Sequence, residues 1–426
     1  MLDRKLIREN PDLVRAGSLR KGVDAPVDQF LALDAEWRAT IHDLELKKAE
    51  MNRLSKSIGQ LMGQGDKAGA DAAKAQTGEL KEAIKALEPK VKEQEDALRD
   101  LELRFPNLPH ETVPDGKTAD DNAEIRTWGQ QPTGTFKPHQ EIAEELQLVD
   151  FAAGAKVSGS GFVVYTGWGA KLVRALISFM LDFQTEQNGY KEVYPPALVL
   201  TESLVGTGNL PKFAEDLYQT SDDLWLIPTA EVPVTNLLRD EILEPWMMPV
   251  KYAAYTPCFR KEAGAAGRDT RGILRMHQFD KVELVKFVRP ETSYDHLEEL
   301  VADAEGVLQA LGLHYRVLLL CAGDMGDKGS KCYDLEVWAP GEGRYLEVSS
   351  CTNFEAYQSR RANIRFRPEP GAAPEFAHIL NGSGLAVPRL MVALLETYRQ
   401  PDGSVLIPEP LQRYMGTDVI PVPVGS

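Results

Sequence analysis

Five residues that could handle a charged nucleotide lie within one short stretch of the chain: Arg260, Glu262, Arg275, Phe279 and Glu283, all between positions 256 and 283. The ends of this stretch read as strands, and its middle, from Ala263 to Gly272, has the glycine and charge of a long hairpin loop. Side chains alternate faces along a strand. That puts Arg260 and Glu262 on one face, and Arg275, His277, Phe279, Lys281 and Glu283 on one face of the returning strand. An arginine, an aromatic ring and carboxylates on one open sheet surface can hold a phosphate, stack a base and pair an ammonium group. A charged, solvated hairpin has the same composition, and the spacing alone leaves both readings open.

Three further clusters carry polar chemistry. Thr229-Ala-Glu231 offers a hydroxyl and a carboxylate on one strand face, within reach of a small polar ligand. Glu347-Val-Ser-Ser350 offers hard oxygen donors of the kind Mg²⁺ takes. Strict alternation would separate Glu347 from Ser350, so a shared ion requires a bulge or a bridging water. Asn381-Gly-Ser-Gly384 precedes an apolar helix over 385–396 with one arginine, Arg389. Pro388 fits only the first turn, so that helix starts just before it. The arginine either snorkels to solvent or sits against a phosphate at the helix N-terminal end, where the dipole favours anions. Neither GxxxxGK[ST] nor GxGxxG occurs. A bound ATP would therefore be held by side chains on a sheet, without a phosphate loop.

The elements that must position these groups can be read in outline. Phe30, Trp37, Leu44, Met51 and Ile58 fall seven apart, with Leu33, Ile41, Leu54 and Leu61 between them. After Gly59, Gly63, Gly65 and Gly69, a second seam runs Leu80, Ile84, Leu87, Val91, Gln94, Leu98, Leu101, Phe105. Two heptad helices joined by a glycine-rich turn predict an antiparallel coiled-coil arm over about 28–104. An arm of some thirty residues is roughly 45 Å long. Pro89 should kink its second helix. The far end carries Lys47, Lys48, Arg53, Lys56 and Lys67 against Glu50 and Asp66, a basic tip that suits either solvent or phosphate contact.

Turn residues around 105–116 place a domain boundary near 108, followed by an acidic linker bearing Asp115, Asp120, Asp121 and Glu124. Residues 169–189 read as a long helix with an apolar stripe, followed by a short strand, 192–196, closed by prolines. Strand-like runs then recur at 224–227, 284–288, 315–320, 335–338 and 345–349 without regular strand–helix alternation. The fold class is therefore α+β: a helical arm over 1–108, then a second domain over 109–426 built on an antiparallel sheet flanked by helices.

With 426 residues the chain can bury a large core, and its formal net charge of −16 argues against a general nucleic-acid coat while permitting a local basic patch. Cys258, Cys321, Cys332 and Cys351 show no zinc spacing, which suggests reduced thiols in a cytoplasm. The charged N-terminus shows no signal peptide or membrane span.

The stretch 256–283 resembles motif 2 of the class II aminoacyl-tRNA synthetases, in the form found in seryl-tRNA synthetases. The resemblance extends over nearly the whole chain and in the right order. Residues 169–196 resemble the dimer-forming motif 1, and Asn381–Glu396 resembles motif 3. The arm resembles the coiled coil that grips the long variable arm of tRNA. It implies an enzyme that activates L-serine with ATP and Mg²⁺, then charges tRNA(Ser) and, where present, tRNA(Sec). By that resemblance Thr229, Glu231, Arg260, Glu283 and Ser383 hold serine. Arg260, Glu262, Arg275, Phe279, Glu347, Ser350 and Arg389 hold ATP, with Arg260 and Arg389 catalytic. Glu347 and Ser350 hold the metal, and Lys47, Lys48, Arg53 and Lys56 touch tRNA. A homodimer in the cytoplasm is implied too. Two alternatives remain: an amino acid ligase that loads a carrier protein, and a non-catalytic RNA-binding relative. The basic-tipped arm weighs against the first, and the retention of Arg260, Glu283, Glu347 and Arg389 weighs against the second.

Overall fold

The computed structural model describes residues 1–263 and 272–423. The chain divides into two compact units. One comprises Leu2–Leu19 and Val23–Pro106, and the other comprises Met1, Arg20–Gly22 and Asn107–Ser426.

In the first unit, two short helices, α1 (Arg4–Glu9) and α2 (Pro11–Arg20), lead to α3 (Val27–Gly63) and α4 (Lys67–Glu102). The heptad seams pack α3 against α4 as an antiparallel pair, with Phe30, Leu44, Ile84 and Leu98 buried between them. At 37 residues, α3 is roughly 55 Å long, more than the periodicity suggested. It continues through Gly59 because the turn needs only residues 64–66. Asp66 then caps α4 by accepting from the Gly69 amide at 2.9 Å. Phe105 closes the seam edge-on against Phe30. Pro89 does not interrupt α4. It lies on the exposed side of the helix, where water can take the carbonyl that the missing N–H would have bonded.

The basic tip is less bare than the sequence suggests. Lys47 pairs with Asp43 one turn away, Arg53 with Glu50, and Lys48 with Glu88 across the hairpin. Counting charge along one helix misses carboxylates that the hairpin brings alongside. Lys56 and Lys67 have no ion-pair partner among the described residues.

The second unit carries a sheet of strands β1 (Ala123–Trp128), β2 (Lys191–Glu192), β3 (Val250–Phe259), β4 (Gln278–Val288), β5 (Tyr315–Leu319), β6 (Lys331–Ala339), β7 (Arg344–Asn353) and β8 (His378–Ala386). Its order is β1-β5-β6-β7-β8-β4-β3-β2, antiparallel except where β2 lies parallel to β3. The strand expected over 192–196 is only the two-residue β2, since prolines lack the N–H a ladder needs.

Period-two patterning assigns the faces of β4. Val282 and Leu284 enter one core with α5 (Gly167–Gln187), α7 (Ser293–Ala310) and α8 (Val387–Tyr398). Val285 and Phe287 enter a second core with Ala254 and Ile379. Lys281 and Glu283 share the parity of the second set. Leu172, Leu176 and Met180 on α5 are buried, each worth about 2 kcal/mol of apolar transfer. A short helix, α6 (Glu231–Asn236), packs against β4. Among the described residues, no helix is long and apolar enough to cross a membrane.

Candidate active site

Two adjoining cavities of about 270 and 230 Å³ open where β4, β7 and β8 meet. Arg260, Lys281, Glu347 and Ser383 line both, so they form one cleft. The first is completed by Glu262, Arg275, Phe279 and Arg389, and the second by Thr229, Glu231, Glu283 and Ser350. Every site residue expected in the catalytic domain therefore faces this cleft. Most of the hairpin loop expected over 263–272 lies outside the described residues.

Arg260 sits one residue beyond the end of β3. Its amide donates to the His277 carbonyl at 2.9 Å, and His277 Nδ1 donates back to the Arg260 carbonyl at 3.0 Å, which extends the β3–β4 pairing past both strands. The guanidinium donates to Pro228 O at 3.2 Å and lies 5.1 Å from the centroid of the Phe279 ring, a cation–π contact. Glu262, at φ 50°, pairs with Arg275 at 2.6 Å.

His277 departs from expectation. Alternation predicted it beside Arg275 and Phe279, but its ring packs on Phe162 and fills the space over Gly161. Arg275 and His277 precede the first residue of β4, so strand alternation does not govern them.

Thr229 and Glu231 do not lie on a strand. Thr229 is in a turn and Glu231 is the first residue of α6. The Thr229 hydroxyl accepts from the Glu231 amide at 3.2 Å, which holds both side chains toward the cleft. The same hydroxyl donates to Glu283 Oε2 at 3.0 Å. Glu283 is fully buried, and Lys281 and Asn381 satisfy it further. Glu231 Oε1 accepts from Gln358 at 2.6 Å and from Lys328 at 3.2 Å.

Glu347 and Ser350 reach the same cavity because β7 carries an extra residue. Leu335 pairs with Ser349 and Glu336 with Glu347, leaving Val348 as a bulge. Their oxygens, one anionic and one neutral, suit a hard divalent cation. Asp334 lies opposite Ser350. Burial, and then the charge of Glu347, push its carboxyl well above the usual range, while the Ser350 hydroxyl opposes the shift. Arg389, in the first turn of α8, donates to the Glu347 carbonyl at 2.6 Å and lies 3.6 Å from its carboxylate.

A pattern runs through these contacts. Arg275 pairs with Glu262, Lys281 with Glu283, Lys328 with Glu231 and Arg389 with Glu347. The cleft presents cations already held by carboxylates, so an incoming phosphate or ammonium exchanges partners and meets little bare charge. The sequence assigned no role to Lys281, Asn381, Lys328, Gln358 or Asp334. Asn381 opens the Asn-Gly-Ser-Gly quartet and could have been found there. Lys328 and Gln358 come from remote segments with no motif to mark them.

Residues 213–398 match the tRNA synthetase class II core domain (G, H, P, S and T), and residues 1–109 match the seryl-tRNA synthetase N-terminal domain. The chain is 52% identical over 423 residues to a serine–tRNA ligase of Carboxydothermus hydrogenoformans, spanning 99% of each chain. It is 53% identical over 425 residues to that of Caldicellulosiruptor saccharolyticus, spanning 99% of this chain and 100% of the relative. The crystal structure of seryl-tRNA synthetase from Pyrococcus horikoshii complexed with ATP matches it with a TM-score of 0.92 and 38% identity, over 100% of both chains.

Proposed function

The chain belongs to the seryl-tRNA synthetase family, and on that premise we infer that it activates L-serine with ATP, releasing pyrophosphate, and transfers the serine to the 3′ end of tRNA(Ser). tRNA(Sec), where present, is a second acceptor. We read residues 1–108 as the tRNA-binding domain and 109–426 as the catalytic domain of a cytoplasmic homodimer.

The observation that carries this reading is the continuity of the cleft. An aromatic ring and three arginines, the nucleotide half, adjoin Thr229, Glu231 and Glu283, the amino-acid half, with Arg260 facing both. The serine carboxylate attacks the α-phosphorus of ATP in line, and the α–β phosphoanhydride bond breaks. Both reactants are anions, so their approach must be neutralised. Arg260 stands where it can bridge the serine carboxylate and the α-phosphate, and Arg275 and Arg389 take the distal phosphates. Phe279 stacks the adenine, beside Glu262. Glu283 takes the serine ammonium, and Thr229, Glu231 and Ser383 surround the hydroxyl. Mg²⁺, held by Glu347 and Ser350, supplies further charge neutralisation at the phosphates when bound. A site of hydrogen-bonding groups rejects alanine because those groups would be left unpaired.

Amino-acid-dependent exchange of labelled pyrophosphate into ATP, run across all the protein amino acids, tests the reading. Serine should support exchange, and exchange with another amino acid but not with serine overturns it.

A further inference from the structure

One wall of the amino-acid cavity is a loop, residues 325–329, without helix or strand. Loops of this kind have no ladder to satisfy their carbonyls, so what does satisfy them decides how firmly they are held. Here the donors come from the beginning of the chain and from just past residue 106. Lys21 Nζ donates to the carbonyls of Gly326 at 2.8 Å, Asp327 at 3.3 Å and Gly329. The Asn107 amide donates to Asp327 O at 2.8 Å, and its side chain donates to Lys328 O at 3.0 Å. The His110 amide donates to Ser330 O at 2.8 Å. Five consecutive carbonyls, Gly326 to Ser330, are thus each met.

Lys21 is buried, and its ammonium bonds carbonyls alone. Burying an ammonium is expensive unless its donors are used, and here three donors meet three carbonyls. If simple packing were all that mattered, a methionine would serve at lower cost. The loop it secures carries Lys328, whose ammonium reaches Glu231 of the cleft at 3.2 Å. The chain enters the longer segment of the helical unit just after Gly22 and returns at Asn107, so the two residues that seat the loop flank that excursion.

We propose that Lys21 and Asn107 are positioning residues for the serine subsite: they fix the 325–329 loop so that Lys328 holds Glu231 in its binding orientation. The proposal rests on the reading of this cavity as the serine site. It goes beyond that reading by tying the site to residues outside the recognised motifs.

The test is steady-state pyrophosphate exchange on the full chain carrying Lys21→Met, Asn107→Leu, Lys328→Met, or Lys21→Met with Lys328→Met. Loss of the hydrogen bonds that seat the loop, or of the Lys328 contact with Glu231, predicts a serine KM raised about tenfold in each single variant, with the ATP KM within about twofold of the parent. The double variant should be no worse than the worse single, since both act through Glu231. An unchanged serine KM, equal rises in both KM values, or additive effects overturn the proposal. Should Lys21→Met fail to fold, Lys21→Gln and Asn107→Leu give the same readout. If the parent chain shows no serine-dependent exchange, it is the reading of the cavity that fails. If the parent is serine-dependent and the variants are unaffected, the positioning role alone fails.

Discussion

Glu347 and Ser350 stand three residues apart on one strand yet face the same cavity, because Val348 bulges out of the β6–β7 register. The bulge turns an arrangement that alternation forbids into two oxygens on one cavity wall, the pair proposed above to hold Mg²⁺. Glu347→Gln keeps the shape and removes the charge. It should raise the Mg²⁺ concentration needed for half-maximal exchange about tenfold. Ser350→Ala should do so by less. A magnesium titration of exchange rate checks both.

Phe279→Ala removes the ring that Arg260 caps and that the adenine is expected to stack on. Stacking of about 1–3 kcal/mol per base predicts an ATP KM raised roughly tenfold or more, with the serine KM little changed. The ratio of the two KM values in exchange assays is the measurement.

Glu283→Ala should abolish exchange and also weaken the fold. It leaves Lys281, only 9% exposed, without its carboxylate, and it unpairs Thr229 and Asn381. Losing one partner of a buried ion pair is worth about 3 kcal/mol or more of stability. Denaturant unfolding should show a lower midpoint in a chain that still folds.

Lys56→Glu with Lys67→Glu reverses the two tip cations that have no carboxylate partner among the described residues. Pyrophosphate exchange should be unaffected, while kcat/KM for tRNA charging should fall about tenfold and its salt dependence should flatten. Equal loss of both activities would remove the arm's proposed role.

Lys21 gives a stability signature against pH. Burial lowers its pKa from 10.5 to about 7, against the opposing pull of Asp327 and Cys332, with Lys212 lowering it further. Below pH 7 the ammonium is charged in both the folded and the unfolded chain, and its burial penalty is fully present. From about pH 7 to 10.5 the unfolded chain keeps a proton the folded chain has released, so stability rises with pH. Relative to Lys21→Met, the parent should gain a few kcal/mol across that window, measured as the difference between their unfolding free energies.

Some of this molecule was written in local pattern. The arm follows from two heptad seams joined by a short turn, because each apolar stripe must be buried and the turn puts the other stripe within reach. The α8 start at Pro388 follows from a missing N–H. Arg260, Phe279 and Glu283 were found together because a hairpin keeps sequence neighbours close. Other features needed the folded chain. The Val348 bulge is a property of pairing between β6 and β7, so the sequence could say only that a shared ion required either a bulge or a bridging water. His277 left its expected face because strand order ends at Gln278. Thr229 and Glu231 reach the cleft from a turn and a helix start. The pairing of Lys48 with Glu88, and of Lys21 with the 326–329 carbonyls, joins residues 40 and some 300 positions apart. Periodicity encodes what a segment buries, but which distant donor meets which acceptor is fixed only when the segments pack.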